Sequence, residues 1–315
     1  MKEKGISRRQ LIKQGGLALT ALVLPFPLTT FTKYNKMTDN KNFDVIIIGG
    51  SYAGLSAAMA LGRSMRNVLI IDSGKPCNSQ TPHSHNFLTQ DGKTPKEIST
   101  LGKQQVEKYE TVKFYNGLAT IGTKTESGFE ITTNVGDKFA AKKLVFATGI
   151  KDTMPDIKGF KECWGISVVH CPYCHGYENR SKNTAIIANG VKAFHLAPLV
   201  RNLTNELTLL TNGKADFEAD QIAKLKETKI NIIEAKILEL EHNNGHLEKV
   251  VFNDNTKLSF DVAYGVIPFT QNSAINSICY GTHHYRIIST SKYTVNCCFL
   301  KHINFYVALF CDFTS

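Results

Sequence analysis

Several features that would assign this chain to a common functional class are missing from its sequence. Its 37 Lys and Arg residues outnumber its 27 Asp and Glu residues and give a formal net charge of +10, but they form no basic stripe interleaved with aromatics. Nucleic-acid binding is therefore not expected, and the charge is interpreted as a solvated surface plus a basic N-terminus. No second pair of Cys or His ligands accompanies the single Cys-x-x-Cys pair at the spacing of a tetrahedral zinc site, so no metal is expected.

A long uninterrupted hydrophobic run is also missing near the N-terminus. The apolar stretch 15–28 is broken by two glycines and two prolines, which makes it a poor membrane-spanning helix. Because Arg8 and Arg9 precede it, the stretch resembles a twin-arginine export signal. We therefore predict a leader over residues 1–36 and a periplasmic or exported protein. The alternatives are an unstructured basic tail, or translation that starts at Met37 and leaves the protein in the cytoplasm.

A glycine-rich turn between a strand and a helix is the first positive signal. The β-branched run 43–48 predicts a buried parallel strand and leads into Gly49-Gly50-Ser51-Tyr52-Ala53-Gly54. Gly49 permits the tight turn, Gly54 permits close packing of the helix on the strand, and the helix N-terminus points at a pyrophosphate. A second strand ends in Asp72, at the spacing of a ribose contact. This order predicts dinucleotide binding, although Ser51 replaces the usual middle glycine.

A second strand–turn–helix layout follows at 183–195, with a degraded turn. Ala188 and Ala193 stand where the first and third glycines are expected, and only Gly190 is retained. The strand 207–211 is not followed by the arginines that would grip a 2′-phosphate. We expect a nucleotide-binding fold here, whereas its occupancy by NADPH or NADH stays open.

Between the two units lies the redox-type sequence Cys171-Pro172-Tyr173-Cys174-His175. Cysteines at this spacing can close a disulfide or open to a dithiol, and so hold and release two electrons. Cys-x-x-Cys-His is also the attachment signature of c-type haem, and a third interpretation is a pair of unreactive loop thiols. His175, adjacent to Cys174, is expected to titrate near neutral pH and to move a proton during thiol–disulfide exchange. The alternative for His175 is a plain surface histidine.

The order of these motifs resembles the thioredoxin reductase family of flavin disulfide oxidoreductases, from about residue 44 to residue 275. The Cys-x-x-Cys-His-Gly form is similar to a subgroup that includes FAD-dependent dithiol oxidases. The resemblance implies an α/β fold with two Rossmann-like, three-layer dinucleotide-binding domains with parallel sheets, the second inserted into the first. The implied boundaries are an FAD-binding domain at 42–154, an NAD(P)-type domain with the cysteines at 155–260, and a return to the FAD domain at 261–275.

The resemblance also implies functional roles. Cys174 would face the flavin, and Cys171 would exchange with the substrate, its pKa lowered by a helix N-terminus. The implied cofactors are FAD and, as an open question, NADPH or NADH. The partner would be a thioredoxin-like protein or a small-molecule disulfide or dithiol, and the chain would form a homodimer. The expected cofactor-binding residues are Gly49, Gly50, Ser51, Ala53, Gly54, Asp72, Asn86, Ala147, Thr148, Gly149, Gly190 and Ala193.

The resemblance stops after Ile275. Residues 276–315 contain one acid, one glycine and no proline, and they lack the Gly-Asp pair with which the family's returning strand holds the flavin. This tail is interpreted as frameshifted, truncated or divergent, and it predicts weak or absent FAD retention. Three hypotheses remain open: disulfide reduction by NADPH or NADH, dithiol oxidation by oxygen, and a catalytically impaired remnant.

Overall fold

The computed structural model describes residues 41–271 and the backbone of two short strands, Arg286–Ile287 and Leu309–Cys311. The predicted leader at 1–36 and most of the atypical tail at 276–315 lie outside the described residues. Within the described part of the chain, no helix has the length and apolar character needed to cross a membrane.

Strands and short helices alternate along the chain. The strands are β1 Asn42–Ile48, β2 Val68–Asp72, β3 Val112–Asn116, β4 Ala119–Thr125, β5 Gly128–Thr133, β6 Lys138–Phe146, β7 Ile150–Asp152, β8 Val168–Val169, β9 Thr184–Ile187, β10 Leu207–Leu210, β11 Asn231–Ile233, β12 Ile237–Asn243, β13 His246–Phe252, β14 Lys257–Ser259, β15 Val262–Gly265, β16 Phe269–Gln271, β17 Arg286–Ile287 and β18 Leu309–Cys311. The helices are α1 Tyr52–Arg63, α2 Pro95–Val106, α3 Phe160–Cys163, α4 Pro172–His175, α5 Gly190–Arg201 and α6 Ala219–Glu227.

The first sheet is built on β1, whose side chains are buried on both faces. Its order is β17-β18-β6-β1-β2-β3, with β1 parallel to β2 and β6, and β2 parallel to β3. Helix α1 packs Leu55 and Ala58 onto this sheet. The hairpin β4–β5 continues from β6 as an antiparallel extension. Because β1 and β2 are covered on both faces, their sequences are nearly continuous apolar runs.

The second sheet has the order β11-β10-β9-β15-β8, and all of its pairings are parallel. Helices α5 and α6 cover one face, and the antiparallel sheet β12-β13-β14 contributes to the core on the other face. The chain enters this sheet after β6 and rejoins the first sheet in β18. The predicted fold class, α/β with two Rossmann-like parallel units and the second inserted into the first, is confirmed.

The predicted return at 261–275 is wrong for Val262–Gly265. These residues form β15 inside the second sheet, paired with both β9 and β8. A short apolar run can complete either sheet, and only its pairing decides which one it joins. The chain leaves the second domain one step later, through β16, which pairs antiparallel with β7.

Candidate active site

The first glycine turn is packed too tightly for any other residue. Gly49 has φ +103°, and a Cβ at this position would lie 2.2 Å from the carbonyl oxygen of Ala147. A Cβ on Gly54 would lie 1.8 Å from the carbonyl oxygen of Gly49. The turn and the start of α1 are therefore pressed against the ends of β1 and β6, as expected for a backbone that approaches a pyrophosphate.

The N-terminus of α1 suits a phosphate group. Its N-cap residue, Ser51, makes no side-chain capping bond, and the first turn, which includes Ala53, contains no acidic residue. The first N–H groups of the helix therefore have no intrahelical or capping partner among the described residues. An anion at this point would satisfy them and would be favoured by the helix dipole. The residues at this turn fit the diphosphate of FAD.

Asp72 and the residues after β6 complete this edge of the first sheet. The Asp72 carboxylate accepts hydrogen bonds from the backbone N–H groups of Gly50, at 3.0 Å, and Gly74, at 3.3 Å. Ala147 donates its N–H to Ile48 at 2.8 Å, and Thr148 and Gly149 follow it, with Gly149 at φ +69°. The structure thus brings the predicted first-domain contacts together at the carboxyl ends of the parallel strands, where open α/β sheets bind ligands.

Asn86 lies in a loop that covers the start of α1. Its backbone has φ +59°, and its N–H donates to the Asp91 carboxylate at 2.8 Å. The neighbouring Phe87 ring meets the Tyr52 ring edge-on, with 6.2 Å between centroids. The loop therefore places the residue after Asn86 against the start of α1, and the cofactor contact of Asn86 itself stays a prediction.

The second glycine turn is filled by its own polar groups. The Asn189 side-chain oxygen accepts the N–H of Gly190 at 2.8 Å and the N–H of Asp216 at 2.9 Å. Its amide nitrogen donates to the carbonyl of Lys214 at 2.8 Å. These three bonds hold the loop after β10 across the N-terminus of α5. Sequence reasoning missed Asn189 and Asp216, although Asn at an N-cap position is a recognised signal.

A dinucleotide phosphate does not fit this second turn. A Cβ on Gly190 would lie 3.3 Å from a carboxylate oxygen of Asp216, so an acid stands where the phosphate would bind. The adjoining cavity of about 320 Å³ has no Lys or Arg among its described lining residues. Ala193 is fully buried in the core of the second domain and exposes no atom to a ligand. The expected nicotinamide-nucleotide contacts at Gly190 and Ala193 stay predictions that the polar groups of this turn do not favour.

The cysteine pair lies at the start of α4, with Cys171 as its N-cap and Pro172 in its first turn. Both sulfurs are buried, since Cys171 is 1% and Cys174 is 5% exposed. The Cys174 thiol donates a hydrogen bond to the Cys171 sulfur over 3.2 Å. This is the geometry of a dithiol whose sulfurs are already adjacent.

The two thiols have opposite proton affinities. The hydrogen bond from Cys174 lowers the pKa of Cys171, and the backbone N–H groups of Cys174 and Tyr173 add to this effect against the penalty of burial. The negative Cys171 sulfur, together with burial, raises the pKa of Cys174. The expected lowering of the Cys171 pKa is present, but it comes from these local donors, because the four-residue α4 is too short for a sizeable dipole. Cys171 is thus the sulfur of the pair that loses its proton more readily, and Cys174 is the sulfur that keeps its proton.

His175 does not titrate near neutral pH, and that expectation is wrong. Burial and, to a smaller extent, nearby His85 lower the pKa of His175 to about 4, and Glu178 opposes the shift. The imidazole is therefore neutral at pH 7. It can still accept a hydrogen bond beside the cysteines, but it stores no proton there under ordinary conditions.

The loop that contains Asn86 also contacts the cysteine segment. His85 Nδ1 lies 3.6 Å from a carboxylate oxygen of Glu178 and 3.7 Å from one of Asp91. Gln80 donates to the carbonyl of Trp164 at 2.6 Å. Histidines in polar loops are usually solvated, but the side chain of His85 is only 21% exposed and faces two carboxylates. The loop therefore joins the cofactor edge of the first domain to the cysteine pair of the second.

Comparison with known proteins identifies the family. A family model described as "Pyridine nucleotide-disulphide oxidoreductase" matches residues 43–287. The chain belongs to this family. It is 33% identical to "Thioredoxin reductase tcpT" of Claviceps purpurea over 59% of this chain and 61% of that protein. It is also 33% identical to "Thioredoxin reductase aclD" of Aspergillus oryzae over 68% of this chain and 71% of that protein.

Solved structures support the same assignment. The putative thioredoxin reductase TrxB of Bacillus anthracis matches with a TM-score of 0.70 and 31% identity, over 73% of this chain and 77% of that one. The resemblance to a thioredoxin reductase-like flavin oxidoreductase is thus confirmed, and such relatives act on sulfur groups. The match spans less than two thirds of the length of the Claviceps relative.

Proposed function

We propose that this protein oxidises dithiols to disulfides through the Cys171–Cys174 pair, with FAD as its cofactor and oxygen as the final electron acceptor. The observation that carries the proposal is the polarised cysteine pair, whose segment contacts the loop that contains Asn86. A low-pKa sulfur next to a high-pKa sulfur suits a pair that exchanges with a substrate at one end and with a flavin at the other.

The exchange steps follow from these proton affinities. In the oxidised pair, a substrate thiolate attacks the Cys171 sulfur, the Cys171–Cys174 bond breaks, and Cys174 takes up a proton. The second substrate thiol then attacks the mixed disulfide, and Cys171 leaves as a thiolate. Its lowered pKa favours this departure, because a lower-pKa thiol leaves faster. The substrate loses two electrons and two protons in forming its S–S bond.

FAD, when bound, supplies the two-electron acceptor that returns the pair to its disulfide. The residues that would hold FAD are those of the first glycine turn, with Asp72 at its edge. Oxygen takes up the two electrons and two protons overall and becomes hydrogen peroxide. The reaction therefore balances as one dithiol and one O₂ giving one disulfide and one H₂O₂.

The second domain supports oxygen over a nicotinamide as the electron partner. Its turn is capped by Asn189, and the Asp216 carboxylate stands beside Gly190, where it would repel a phosphate. A chain that reduced disulfides with NADPH or NADH would need that site open and cationic. The second candidate is nevertheless such a reductase, because β9, α5 and β10 keep the layout of a dinucleotide-binding unit.

The burial of both sulfurs supports a small-molecule dithiol as the substrate, with a thioredoxin-like protein as the alternative. The exposed rings beside the motif are Tyr173, 50% exposed, and Tyr177, 72% exposed. They offer apolar surface that would bind a small organic substrate next to Cys171. We also propose a homodimer on the strength of the family resemblance, and light scattering on the purified protein tests it.

The test is to load the purified protein with FAD and supply dithiothreitol as a probe dithiol in air. We expect the wild type to consume oxygen and to form one hydrogen peroxide for each oxygen consumed. Neither Cys171→Ser nor Cys174→Ser should consume oxygen. NADPH and NADH, added without oxygen, should leave the flavin absorbance unchanged. Rapid bleaching by either nucleotide, with no oxygen uptake on dithiothreitol, would establish the reductase instead. A protein that takes up FAD but fails both assays would be the impaired remnant, and a Soret band would show haem.

A further inference from the structure

Tyr264 carries a buried hydroxyl that has no hydrogen-bond partner among the described residues. The side chain is 1% exposed, and it lies in β15, inside the second sheet. A buried phenol without a partner loses its hydrogen bond to water and gains nothing in return. Buried hydroxyl groups without a hydrogen-bond partner are uncommon in folded proteins, and each of them needs an explanation.

The position of Tyr264 in the sheet aims it towards the cysteine segment. Strand β15 pairs parallel with β8, and Tyr264 stands in register with Val169, two residues before Cys171. Tyr264 and Val169 belong to the same core cluster, so they share one face of the sheet. The chain bends at His170 after β8, and Cys171 follows with an extended backbone, at φ −114° and ψ 115°, so it lies one bend beyond the register partner of Tyr264.

The charges around the hydroxyl agree with this placement. Burial raises the pKa of Tyr264, and the negative forms of Cys171 and Glu178 raise it further. The phenol therefore keeps its proton at every pH at which the cysteines exchange, and it can only act as a donor towards a negative sulfur. The other titratable groups around this sulfur include Cys174, which donates to it, buried His170, which precedes it in the chain, and the neutral His175.

We propose that Tyr264 is a positioning residue whose hydroxyl donates a hydrogen bond to the Cys171 sulfur when that sulfur is negatively charged and separated from Cys174. The resting pair does not need it, because the Cys174 thiol already donates to Cys171. A second donor matters when Cys171 leaves the mixed disulfide. The inference rests on the proposed function for its role in exchange, but the contact itself depends only on this chain.

The test removes the competing donor and titrates the thiolate. In a Cys174→Ala background, the ultraviolet absorbance of the Cys171 thiolate is followed against pH, with Cys171→Ser in the same background subtracted to remove the other thiols. Adding Tyr264→Phe should lower the thiolate-to-thiol ratio at a fixed pH about three- to tenfold, the effect of one hydrogen bond. Tyr109→Phe, which removes a hydroxyl that contacts Arg63 in the first domain, should leave the curve unchanged.

An unchanged titration curve in the Tyr264→Phe variant would overturn the inference. The denaturation midpoint of the same substitution in the wild-type background checks the starting observation: because the hydroxyl has no partner in the resting protein, the midpoint should not fall. A lower midpoint would mean that the hydroxyl has a structural partner, and it would also contradict the proposal. The titration needs neither FAD, oxygen nor substrate, so its failure is distinct from a failure of the dithiol oxidase assay.

Discussion

The sulfur atoms of Cys171 and Cys174 differ in their surroundings, although both are buried and lie 3.2 Å apart. The Cys171 sulfur accepts hydrogen bonds from the Cys174 thiol and from backbone N–H groups. The Cys174 sulfur lies next to the Cys171 sulfur, whose negative form disfavours a second negative charge. The Cys-x-x-Cys spacing was enough to predict a redox pair. It was not enough to distinguish the proton affinities, because these depend on donors whose directions follow from the folded α4 turn.

His175 provides a pH-dependent prediction at this scale. Its pKa is about 4 in the folded protein and 6.5 in the unfolded chain, so between these values the unfolded state binds the extra proton. Stability should therefore be lost as pH falls from about 6.5 to about 4, and His175→Asn should remove up to about 3 kcal/mol of this loss. The measurement is the free energy of unfolding in urea at about pH 7 and about pH 4.

The matched control is His246→Asn, which replaces an exposed imidazole. The His246→Asn variant should lose as much stability as the wild type does when the pH falls over the same range. If His175→Asn also follows the wild type, the buried neutral imidazole is not a source of acid sensitivity.

At the scale of elements, the two glycine turns have the same strand–turn–helix layout but differ in what lies at the helix N-terminus. The first leaves the α1 N-terminus without a side-chain cap, whereas the second is capped by Asn189 and crossed by the Asp216 loop. Sequence analysis predicted both strand–turn–helix units and the degradation of the second. It did not predict the loop across α5, because Asp216 lies 26 residues after Gly190 and is brought to it only by the parallel pairing of β9 with β10.

Gly54 is the residue on which the first turn most depends. Gly54→Ala should lower the free energy of unfolding by about 3 kcal/mol or more, because a Cβ there would meet the Gly49 carbonyl oxygen at 1.8 Å, and backbone cannot move aside cheaply. Denaturant unfolding of the purified variant measures the change.

Gly102→Ala is the matched control, also a helical glycine but in α2. Its new Cβ would meet only a terminal carbon of Leu55, at 3.2 Å. Higher helix propensity offsets this contact, so the net change should be under about 1 kcal/mol. Equal effects at the two positions would show that Gly54 is not a packing constraint.

Asn189 gives a prediction for the second turn. Asn189→Ala removes a cap and two bonds to the following loop, so it should lower the free energy of unfolding by about 1–2 kcal/mol. Asn231→Ala, at an exposed strand position, is the control and should have a small effect. A stability loss at Asn189 no larger than at Asn231 would mean that the loop is held by other contacts.

At the scale of the whole molecule, strand β18 lies next to β6 in the first sheet, where the resemblance implies a returning strand with Gly-Asp. Strand β18 pairs there antiparallel, with Leu309 opposite Phe146 and Cys311 opposite Leu144. It therefore runs away from the edge where Gly49 lies, and it is not the returning Gly-Asp strand that the resemblance implies. Among the residues that the structure describes, the flavin site has its glycine turn, and no strand there supplies the wall that the Gly-Asp strand would form.

Weak retention of FAD is the prediction that follows. The chain purified without added cofactor should contain well under one FAD per chain, as measured by the ratio of flavin absorbance to protein, and added FAD should raise the ratio. A full complement of FAD after extensive dialysis would contradict it and would mean that residues of the tail supply the missing wall.

Export is a second prediction for the whole chain and concerns residues outside those described. We propose that Arg8 and Arg9 direct the protein across the membrane, so replacing both by Lys should retain the protein in the cytoplasm in a cell fractionation experiment. Replacement of Lys2 and Lys4 by Arg, which keeps the leader's charge, should leave export unchanged. If the two variants are found in the same proportions in the cytoplasmic and exported fractions, the result would favour translation that starts at Met37 or a plain basic tail.

Local patterns of spacing and composition predict the two dinucleotide-type units and the redox pair Cys171 and Cys174, whereas the family match extends to residue 287, beyond the predicted break after Ile275. The pairing of strands places Val262–Gly265 in the second sheet, Asp216 beside Gly190, and Tyr264 opposite Val169. Each of these contacts joins residues distant in the chain. Strand pairing creates them, and no local pattern records which strands will become neighbours.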